Sequence, residues 1–425
     1  MKHFLVFLLL LHITAALFAV GQQEHRMPHT GQEIRVLLAN HPYGELIRSR
    51  IPEFEMQTGI RVLVESLNEV QLSQRLINEF SAGTAAVDVF MTRPMEETLL
   101  FNRNGWYAPL HNFDFSDFPA NTVYVGRKNG IPHIVPIIIE WQVLYYRRDL
   151  MARAGIRAPT TFEELERAAM LLDSDEVFGF GSRGAGSLAV TQVSTFLHNF
   201  GARYIYNNTA VFNTPQALEA FRLYGWLLGI YGPGAVTAMS WSQLMPIFQA
   251  GRLAMWTDSS AFYVPLTNPL NTRIPIANIG VARMPAGPGG SNPFIIPSWA
   301  MAISYRTRNK DAAMMFLNWA TSREFAVMGM GAGINMARRS VWTDPVVTAR
   351  INPGLVDSML HASQYGYSFD RPFITSANRA MGYIGELIIE SINTRGTSPR
   401  LQAMATERVN AVNNLLMADG EFGRR

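Results

Sequence analysis

The 425-residue sequence contains no cysteine, so the protein can form no disulfide and has neither a cysteine nucleophile nor a cysteine-linked lipid anchor. Lysine is nearly absent, and no segment concentrates the 36 lysines and arginines. The formal net charge is only +3, which makes nucleic acid a poor partner. Beyond residue 21, no apolar run is long enough to span a bilayer. These absences favour a soluble protein that binds something other than nucleic acid.

The sequence also lacks the common catalytic and metal-binding motifs. It has no H-E-x-x-H, no G-x-S-x-G and no P-loop, and its nine histidines are scattered without metal-ligand spacing. Asp173, Asp175 and Glu176 lie close together, but the glycine and distal glutamate of a calcium loop are missing. Gly179–Gly184 matches the dinucleotide fingerprint G-x-G-x-x-G, but no acid follows about twenty residues later to bind a ribose. We expect no metal, no cofactor and no enzymatic activity.

The composition is otherwise that of a globular protein. Apolar residues make up 48% and charged residues 16%, and 425 residues are too many for one compact core, so two lobes are expected. Lys2, the apolar run Phe4–Leu11 and the small residues Ala19–Gly21 predict a signal peptide over residues 1–21. We therefore expect export as a soluble protein, most simply to the periplasm.

The first part of the chain alternates strand and helix patterns. Strands are predicted over 33–39, 60–65 and 87–91, with helices over 45–57 and 71–80 between them. This order predicts a parallel sheet with crossover helices, and such sheets bind ligands beyond the carboxyl ends of their strands. The residues expected at that edge, each of which could equally be a solvent-facing loop residue, are Asn40, His41, Tyr43, Thr92 and Arg93.

The segment Ile131–Asp149 is the most informative stretch. Its β-branched and aromatic residues, bounded by prolines, predict a buried strand, yet Glu140 and Trp141 lie inside it. A buried charge costs several kcal/mol unless it is paired. We interpret the segment as a strand that crosses between the two lobes, with Glu140 and Trp141 facing a wet cleft. The alternative is a core strand whose Glu140 is paired with an arginine.

Seven short segments, taken with their order and spacing, resemble family 1 of the extracellular solute-binding proteins, the receptors of carbohydrate-importing ABC transporters. They are FEMQTGIRV (54–62), VDVFM (87–91), NGWYAPL (104–110), YYRRDL (145–150), PTTFEEL (159–165), GRLAM (251–255) and DAAMMFL (311–317). The Arg371-Pro372 pair and the His41-Pro42-Tyr43 start favour the sugar- and polyol-binding branch.

The resemblance implies an α/β fold of the type II periplasmic-binding-protein kind. Each of the two lobes would be a mainly parallel sheet flanked by helices, with the ligand cleft between the lobes. We expect the N-terminal lobe to comprise residues 31–136 and 285–335, and the C-terminal lobe to comprise 137–284 and 336–425. The protein would be a monomer that closes around a sugar or polyol and delivers it to the transmembrane subunits of a permease.

Candidate ligand residues also come from the later part of the chain. Arg183 and Ser187 lie in a predicted strand-to-helix loop, where solvent exposure is as plausible as ligand contact. Asp258 follows the GRLAM segment with Ser259 and Phe262, and a carboxylate there can accept several hydroxyl hydrogen bonds or cap the next helix.

Three further candidates complete the set. Ser298 and Trp299 open a strand that, in the resembled family, faces the cleft, while Arg371 could bind vicinal hydroxyls or form a structural salt bridge.

Two other function classes remain open at this level. Glu140 and Asp258 could act as the carboxylate pair of a glycoside hydrolase, although nothing else in the sequence supports this. A receptor for a polyamine, an oligopeptide or iron is the other alternative, but polyamine capture needs several carboxylates in the cleft and iron capture needs tyrosine and histidine clusters.

Overall fold

The computed structural model describes residues 31–84 and 86–423, so the expected signal peptide lies outside the described residues. Within the described part, no helix is both long enough and apolar enough to cross a membrane. The elements up to the long central strand are β1 Glu33–Ala39, α1 Pro42–Thr58, β2 Arg61–Leu67, α2 Glu69–Ser81, β3 Val89–Thr92, α3 Pro94–Asn104, α4 Ala120–Val125, β4 Arg127–Lys128, β5 Ile131–Pro132 and β6 Val135–Arg147.

The chain after β6 is mostly helical. Its elements are α5 Arg148–Arg153, α6 Phe162–Leu172, α7 Gly186–Asn199, β7 Ile205–Tyr206, β8 Thr209–Ala210, α8 Pro215–Tyr231, α9 Trp241–Gln249, β9 Met255–Ser259, α10 Tyr263–Leu266, β10 Ile279–Arg283, β11 Ile295–Ile303, α11 Lys310–Ala320, α12 Arg323–Gly331, α13 Arg339–Trp342, α14 Pro345–Thr348, α15 Pro353–Tyr365, α16 Ala377–Asn393 and α17 Leu401–Ala418. Short 3-10 turns occur at 236–238, 260–262 and 276–278.

The strands form one path in the order β10-β6-β11-β3-β1-β2, with β9 also paired to β6. β1 is parallel to β2 and to β3, as the strand–helix–strand pattern predicts. Strands of the other direction join this parallel set: β11 is antiparallel to β3 and β6, and β9 and β10 are antiparallel to β6. The reason is the direction of travel: β11 brings the chain back to the first lobe, opposite to the direction in which β6 left it.

Strand β6 belongs to both lobes of this two-lobed fold. Val135–Trp141 pair with β11, whereas Gln142–Arg147 pair with β9 and β10. Two large buried clusters meet along this strand, one centred on β1–β3 and the other on α7, α8 and α16. Val143 and Tyr145 belong to the first cluster and Leu144 to the second, since successive side chains of a strand point to opposite faces. The residue boundaries of the lobes remain predictions.

Alternation along β6 also decides the position of Trp141. Glu140 is the only residue between Val135 and Tyr145 that is not buried. Because successive side chains of a strand point to opposite faces, Trp141 points away from the face that Glu140 occupies. Trp141 has no exposed surface; its indole Nε1–H donates to Ser358 Oγ at 3.0 Å, and its ring meets Trp342 edge-on. The prediction that Trp141 lines the cleft with Glu140 is therefore wrong.

Replacing Trp141 with alanine should destabilise the protein. The substitution removes a fully buried indole and leaves Ser358 without its donor, so we expect the free energy of unfolding to fall by about 3–5 kcal/mol. Urea unfolding measures this change. The matched control is Trp241→Ala, because Trp241 is 41% exposed and stacks on one neighbouring ring, so its loss should cost less than about 1.5 kcal/mol. Equal losses for the two variants would contradict the packing described for Trp141.

Candidate ligand-binding site

A cavity of about 200 Å³ lies where β6 and β11 pass between the lobes. It receives side chains from α2, α3, α7, both crossing strands and the loop before α16. The lining residues are Glu69, Arg93, Met95, Glu96, Glu140, Arg183, Thr191, Gln192, Ser259, Phe294, Ile296, Ser298, Trp299, Asp370 and Arg371. Seven of the fifteen predicted site residues are among them: Arg93, Glu140, Arg183, Ser259, Ser298, Trp299 and Arg371. Their role in ligand binding remains a prediction.

Glu140 is held at the cavity by hydrogen bonding within the lobe that follows it. Ser259 Oγ donates to Glu140 Oε2 at 2.7 Å. Ser259 Oγ in turn accepts a hydrogen bond from the backbone N–H of Ala261 at 3.1 Å. The carboxylate thus has a fixed orientation without an arginine partner within 4 Å among the described residues. This arrangement matches the cleft-facing interpretation of Glu140 rather than the core ion pair.

A β-bulge in β11 brings Ser298 to the cavity. Pro297 is paired with Ile139 and Trp299 with Ile138, so Ser298 is an extra residue on its strand. Its hydroxyl donates to the carbonyl oxygen of Ile138 at 3.4 Å. The adjacent Trp299 is only 8% exposed, and its ring lies 6.0 Å from the ring of His41. The bulge thus places a hydroxyl and an indole side by side at the cavity.

Arg183 is positioned by a buried carboxylate. Its Nε is 3.0 Å from Asp258 Oδ2 and its Nη2 is 2.5 Å from Asp258 Oδ1. Asp258 is fully buried and also accepts from Gln192 Nε2 at 3.2 Å and from the backbone N–H of Ser259 at 2.8 Å. Burial works against the charged guanidinium, but Asp258 outweighs it, so the pKa of Arg183 lies above its usual value.

The position of Asp258 corrects one prediction and explains another. Asp258 does not line the cavity, because its oxygens are occupied by Arg183 and its neighbours, so its predicted direct contact with hydroxyls is wrong. Phe262 also lies behind Arg183, with the guanidinium carbon 5.8 Å from its ring centre. Both residues support the arginine that reaches the cavity.

Arg371 also lines the cavity and links two parts of the chain. Its Nε donates to Asp370 Oδ1 and its Nη2 donates to Asp370 Oδ2, each at 2.8 Å. Its Nη1 donates to Glu96 Oε1 on α3 at 3.3 Å. Burial raises the pKa of Glu96, and the nearby Arg371 and Arg93 oppose that rise. Despite its burial, the pKa of Arg371 is raised by Asp370 and Glu96, so the guanidinium stays charged. The salt bridge that the sequence left as an alternative for Arg371 is present.

Arg93 enters the cavity from the start of α3. Its Nη2 donates to Ser73 Oγ at 3.3 Å, while its Nε has no hydrogen-bond partner within the described part of the chain. The preceding Thr92 is fully buried, and its hydroxyl contacts Glu97 Oε2 and the Tyr107 hydroxyl. The prediction of Thr92 as a ligand contact is wrong, because these core hydrogen bonds use its hydroxyl to fix the β3–α3 turn.

Two of the other candidates from the first lobe, His41 and Tyr43, make hydrogen bonds within the protein. His41 caps α1 by accepting the Tyr43 N–H on Nδ1 at 3.1 Å, and burial, opposed by Glu69, lowers its pKa. Tyr43 is buried, and its hydroxyl donates to the Ala320 carbonyl. Neither side chain lines the cavity, nor do the exposed Asn40 and Ser187. Tyr43 is therefore not a direct contact, since α1 begins at Pro42 and buries it in the core, whereas Asn40, His41 and Ser187 remain predictions.

Several lining residues were not predicted. Asp370 directly precedes the predicted Arg371, and Glu96 lies in the first turn of a helix opened by Pro94, so both carried local signals. Thr191 and Gln192 lie in the middle of α7, where sequence spacing alone gives no reason to single them out. Met95, Phe294 and Ile296 add apolar surface that the sequence does not distinguish from core. No group of three or more His, Asp or Glu side chains among the described residues could hold a metal ion.

Comparisons with known proteins agree with this architecture. The family model described as bacterial extracellular solute-binding protein matches residues 39–326. A mannitol-binding protein of Pseudomonas aeruginosa is 28% identical over 271 residues, covering 61% of this chain and 62% of its own length. An erythritol/L-threitol-binding protein of Mycolicibacterium smegmatis is 23% identical over 367 residues, covering 80% and 75%. The chain thus spans less than two thirds of the first relative's length.

A solved structure supports the fold independently. The crystal structure of an ABC transporter solute-binding protein from Agrobacterium radiobacter K84, in complex with ribitol, superimposes with a TM-score of 0.72 at 22% identity and covers 91% of this chain and 100% of that one. At this identity the likeness shows the two-lobed fold. With the family model matching more than half of the sequence, the chain belongs to the bacterial extracellular solute-binding protein family.

Proposed function

We propose that the protein is the extracytoplasmic binding component of an ABC importer and that it captures a short polyol or a monosaccharide in the cavity at the β6–β11 crossing. The observation that carries the proposal is that fixed polar groups from both lobes converge there on one small volume. Glu140, Arg183 and Arg371, from the segments expected in the C-terminal lobe, offer a carboxylate acceptor and N–H donors. Arg93 and Trp299, from the segments expected in the N-terminal lobe, offer a further donor and a ring. These are the groups that a ligand with many hydroxyls and a weakly apolar C–H face needs.

The size of the cavity favours a small ligand. A volume of about 200 Å³ is below the roughly 300–1,000 Å³ typical of pockets for drug-sized molecules. The relatives named as binding mannitol and erythritol or threitol have ligands of this class, which supports the same class here. A second sugar ring would not fit within this cavity. We therefore propose a single four- to six-carbon polyol or monosaccharide.

The strand shared by the two lobes suggests how the ligand is delivered to the permease. Because the two lobes contribute opposite walls, a ligand that contacts both favours the closed arrangement, and the joined lobe surfaces would be what the transmembrane permease subunits bind. We further propose a periplasmic location, with residues 1–21 as the signal that directs export, and release of the ligand unaltered.

The glycoside-hydrolase alternative receives no support from the site. It requires two carboxyl groups that flank a scissile bond, with one free to give up or take a proton. Asp258 is buried and bonded to Arg183, so it cannot serve as the partner of Glu140. The polyamine alternative requires an excess of unpaired carboxylates, whereas Asp370 and Glu96 are bonded to Arg371.

The size of the cavity predicts which ligands bind. Isothermal titration of the mature chain with erythritol, ribitol, mannitol, glucose and maltose should give saturable binding for at least one of the four smaller compounds. Maltose should bind at least about tenfold more weakly, because two sugar rings exceed the cavity. Tightest binding of maltose, or no binding of any compound in the series, would contradict the proposed ligand class.

Glu140→Gln should weaken binding of the best polyol while preserving the fold. A neutral amide accepts weaker hydrogen bonds than a carboxylate, so the expected loss is about 1–2 kcal/mol, or about five- to thirtyfold in Kd. Glu176→Gln is the matched control, because Glu176 is exposed and remote from the cavity. Titration of both variants, with thermal unfolding to verify folding, decides the matter: identical affinities for the two would remove Glu140 from the site.

Trp299→Ala tests the aromatic wall. Loss of the ring that covers the C–H face should raise Kd by an amount equivalent to about 1–3 kcal/mol, and Trp299→Phe should recover part of that loss because it keeps an aromatic face. The measurement is the same titration, made alongside the melting temperature of each variant. Wild-type affinity in a folded Trp299→Ala protein would show that the ring does not contact the ligand.

A further inference from the structure

A second and larger cavity, of about 560 Å³, lies beside the first and shares Arg371 with it. Two hairpins border it: β4–β5, from the segment expected in the N-terminal lobe, and β7–β8, from the segment expected in the C-terminal lobe. Each turns through residues with positive φ, Asn129 (51°) with Gly130 (80°) and Asn207 (47°) with Asn208 (52°). Such pairs are typical of type I′ turns, which match the twist of a hairpin, so both borders are well defined.

The chemistry of this second cavity differs from that of the first. Four carboxylates line the first cavity, whereas no Asp or Glu is among the described residues that line the second. Its walls instead carry arginines and aromatic rings. The residues that decide its character are Arg127, His198, Arg203, Tyr206, Tyr367 and Phe369. A cationic, aromatic lining without acids favours an anionic organic ligand over a neutral or cationic one.

Arg203 is the cation best placed to meet such a ligand. Its guanidinium carbon lies 5.4 Å from the ring centre of Tyr206 and 5.2 Å from that of Tyr367, so both rings contact the cation. Within the described residues no carboxylate lies within 4 Å of it, in contrast to Arg371, which is bonded to Asp370. Arg203 is exposed, and its N–H groups are suited to a carboxylate.

His198 adds a neutral ring to the lining of this cavity. The residue is 6% exposed, its ring centre lies 4.2 Å from that of Tyr367, and its Nδ1 has no hydrogen-bond partner within the described part of the chain. Burial, reinforced by Arg203, lowers the pKa of His198 to about 3, so the ring is neutral at pH 7. Because Nδ1 has no solvent-accessible surface, a ligand in the cavity cannot reach it, and the neutral ring contributes packing against Tyr367 rather than charge.

We propose that the second cavity is a binding site for a hydroxylated organic anion, with a sugar acid as the chemical class that fits. The carboxylate would bind the N–H edge of Arg203, hydroxyls would bond to the polar hairpin residues Asn129 and Asn207, and the C–H face would lie against the rings of Tyr124 and Phe369, which meet at 6.1 Å. This site is additional to the polyol cavity of the proposed function, and its ligand differs in charge.

Titration with sodium glucuronate and sodium gluconate, at constant ionic strength, tests the proposal. Wild-type protein should bind at least one of them saturably, and Arg203→Gln should weaken that binding about ten- to a hundredfold, because it removes a charge-assisted hydrogen-bond pair. The matched control is Arg252→Gln, since Arg252 is also an exposed arginine over an aromatic ring, 5.8 Å from Phe178, but lies outside the cavity. Unaltered affinity in folded Arg203→Gln, or no saturable binding of either sugar acid to wild-type protein, would overturn it.

Two further measurements separate this proposal from the polyol proposal. Glu140→Gln should leave sugar-acid affinity unchanged, because Glu140 lines only the first cavity. Saturating the protein with its best polyol should likewise not displace the sugar acid. Competition between the two ligands would show one shared site and would overturn the second site, whereas failure of every polyol to bind would leave the Arg203 comparison intact as a test.

Discussion

The candidate site depends on one geometric constraint: β6 is a single strand whose two halves belong to two sheets. Its first half pairs with β11 and its second half with β9 and β10. Near the residue at which β6 changes its partner strands, one face of β6 is not covered by either hydrophobic cluster. Glu140 lies on this face. The bulge at Ser298 in β11 lies across from the same place, so the site arises where two regular sheets are joined.

The charged groups around the cavity are held in place by other groups of the protein. Asp258 holds Arg183 and Asp370 holds Arg371, each through two nitrogen–oxygen contacts. Buried ion pairs of this kind contribute little net stability, because desolvation offsets their attraction, but they fix donor directions. Ligand binding then need not order long side chains, which lowers its entropic cost. Glu140, which has no arginine partner within 4 Å among the described residues, is the acceptor that these pairs leave open at the cavity.

Much of this could be predicted from local sequence, and the errors have physical causes. The strand–helix order and the crossing strand are strong patterns, and Glu140, the carboxylate inside an apolar run, lines a cavity. Trp141 was misplaced because neighbouring residues of a strand face opposite sides, so a cleft at Glu140 does not extend to its neighbour. Asp258 was found as a polar residue near the site, but its pairing with Arg183, 75 positions away, is a tertiary contact. Gln192, in the middle of α7, carries no local signal for the same reason.

The central claim is that a polyol or monosaccharide binds at the shared strand, between walls from both lobes. The most direct measurement is a crystal structure of the mature chain grown with the tightest-binding compound of that class. The account predicts ligand density in the cavity at the β6–β11 crossing, with hydroxyls within hydrogen-bonding distance of Glu140 and Arg183 and the C–H face against Trp299. Ligand density at another place, with this cavity filled only by water, would contradict it.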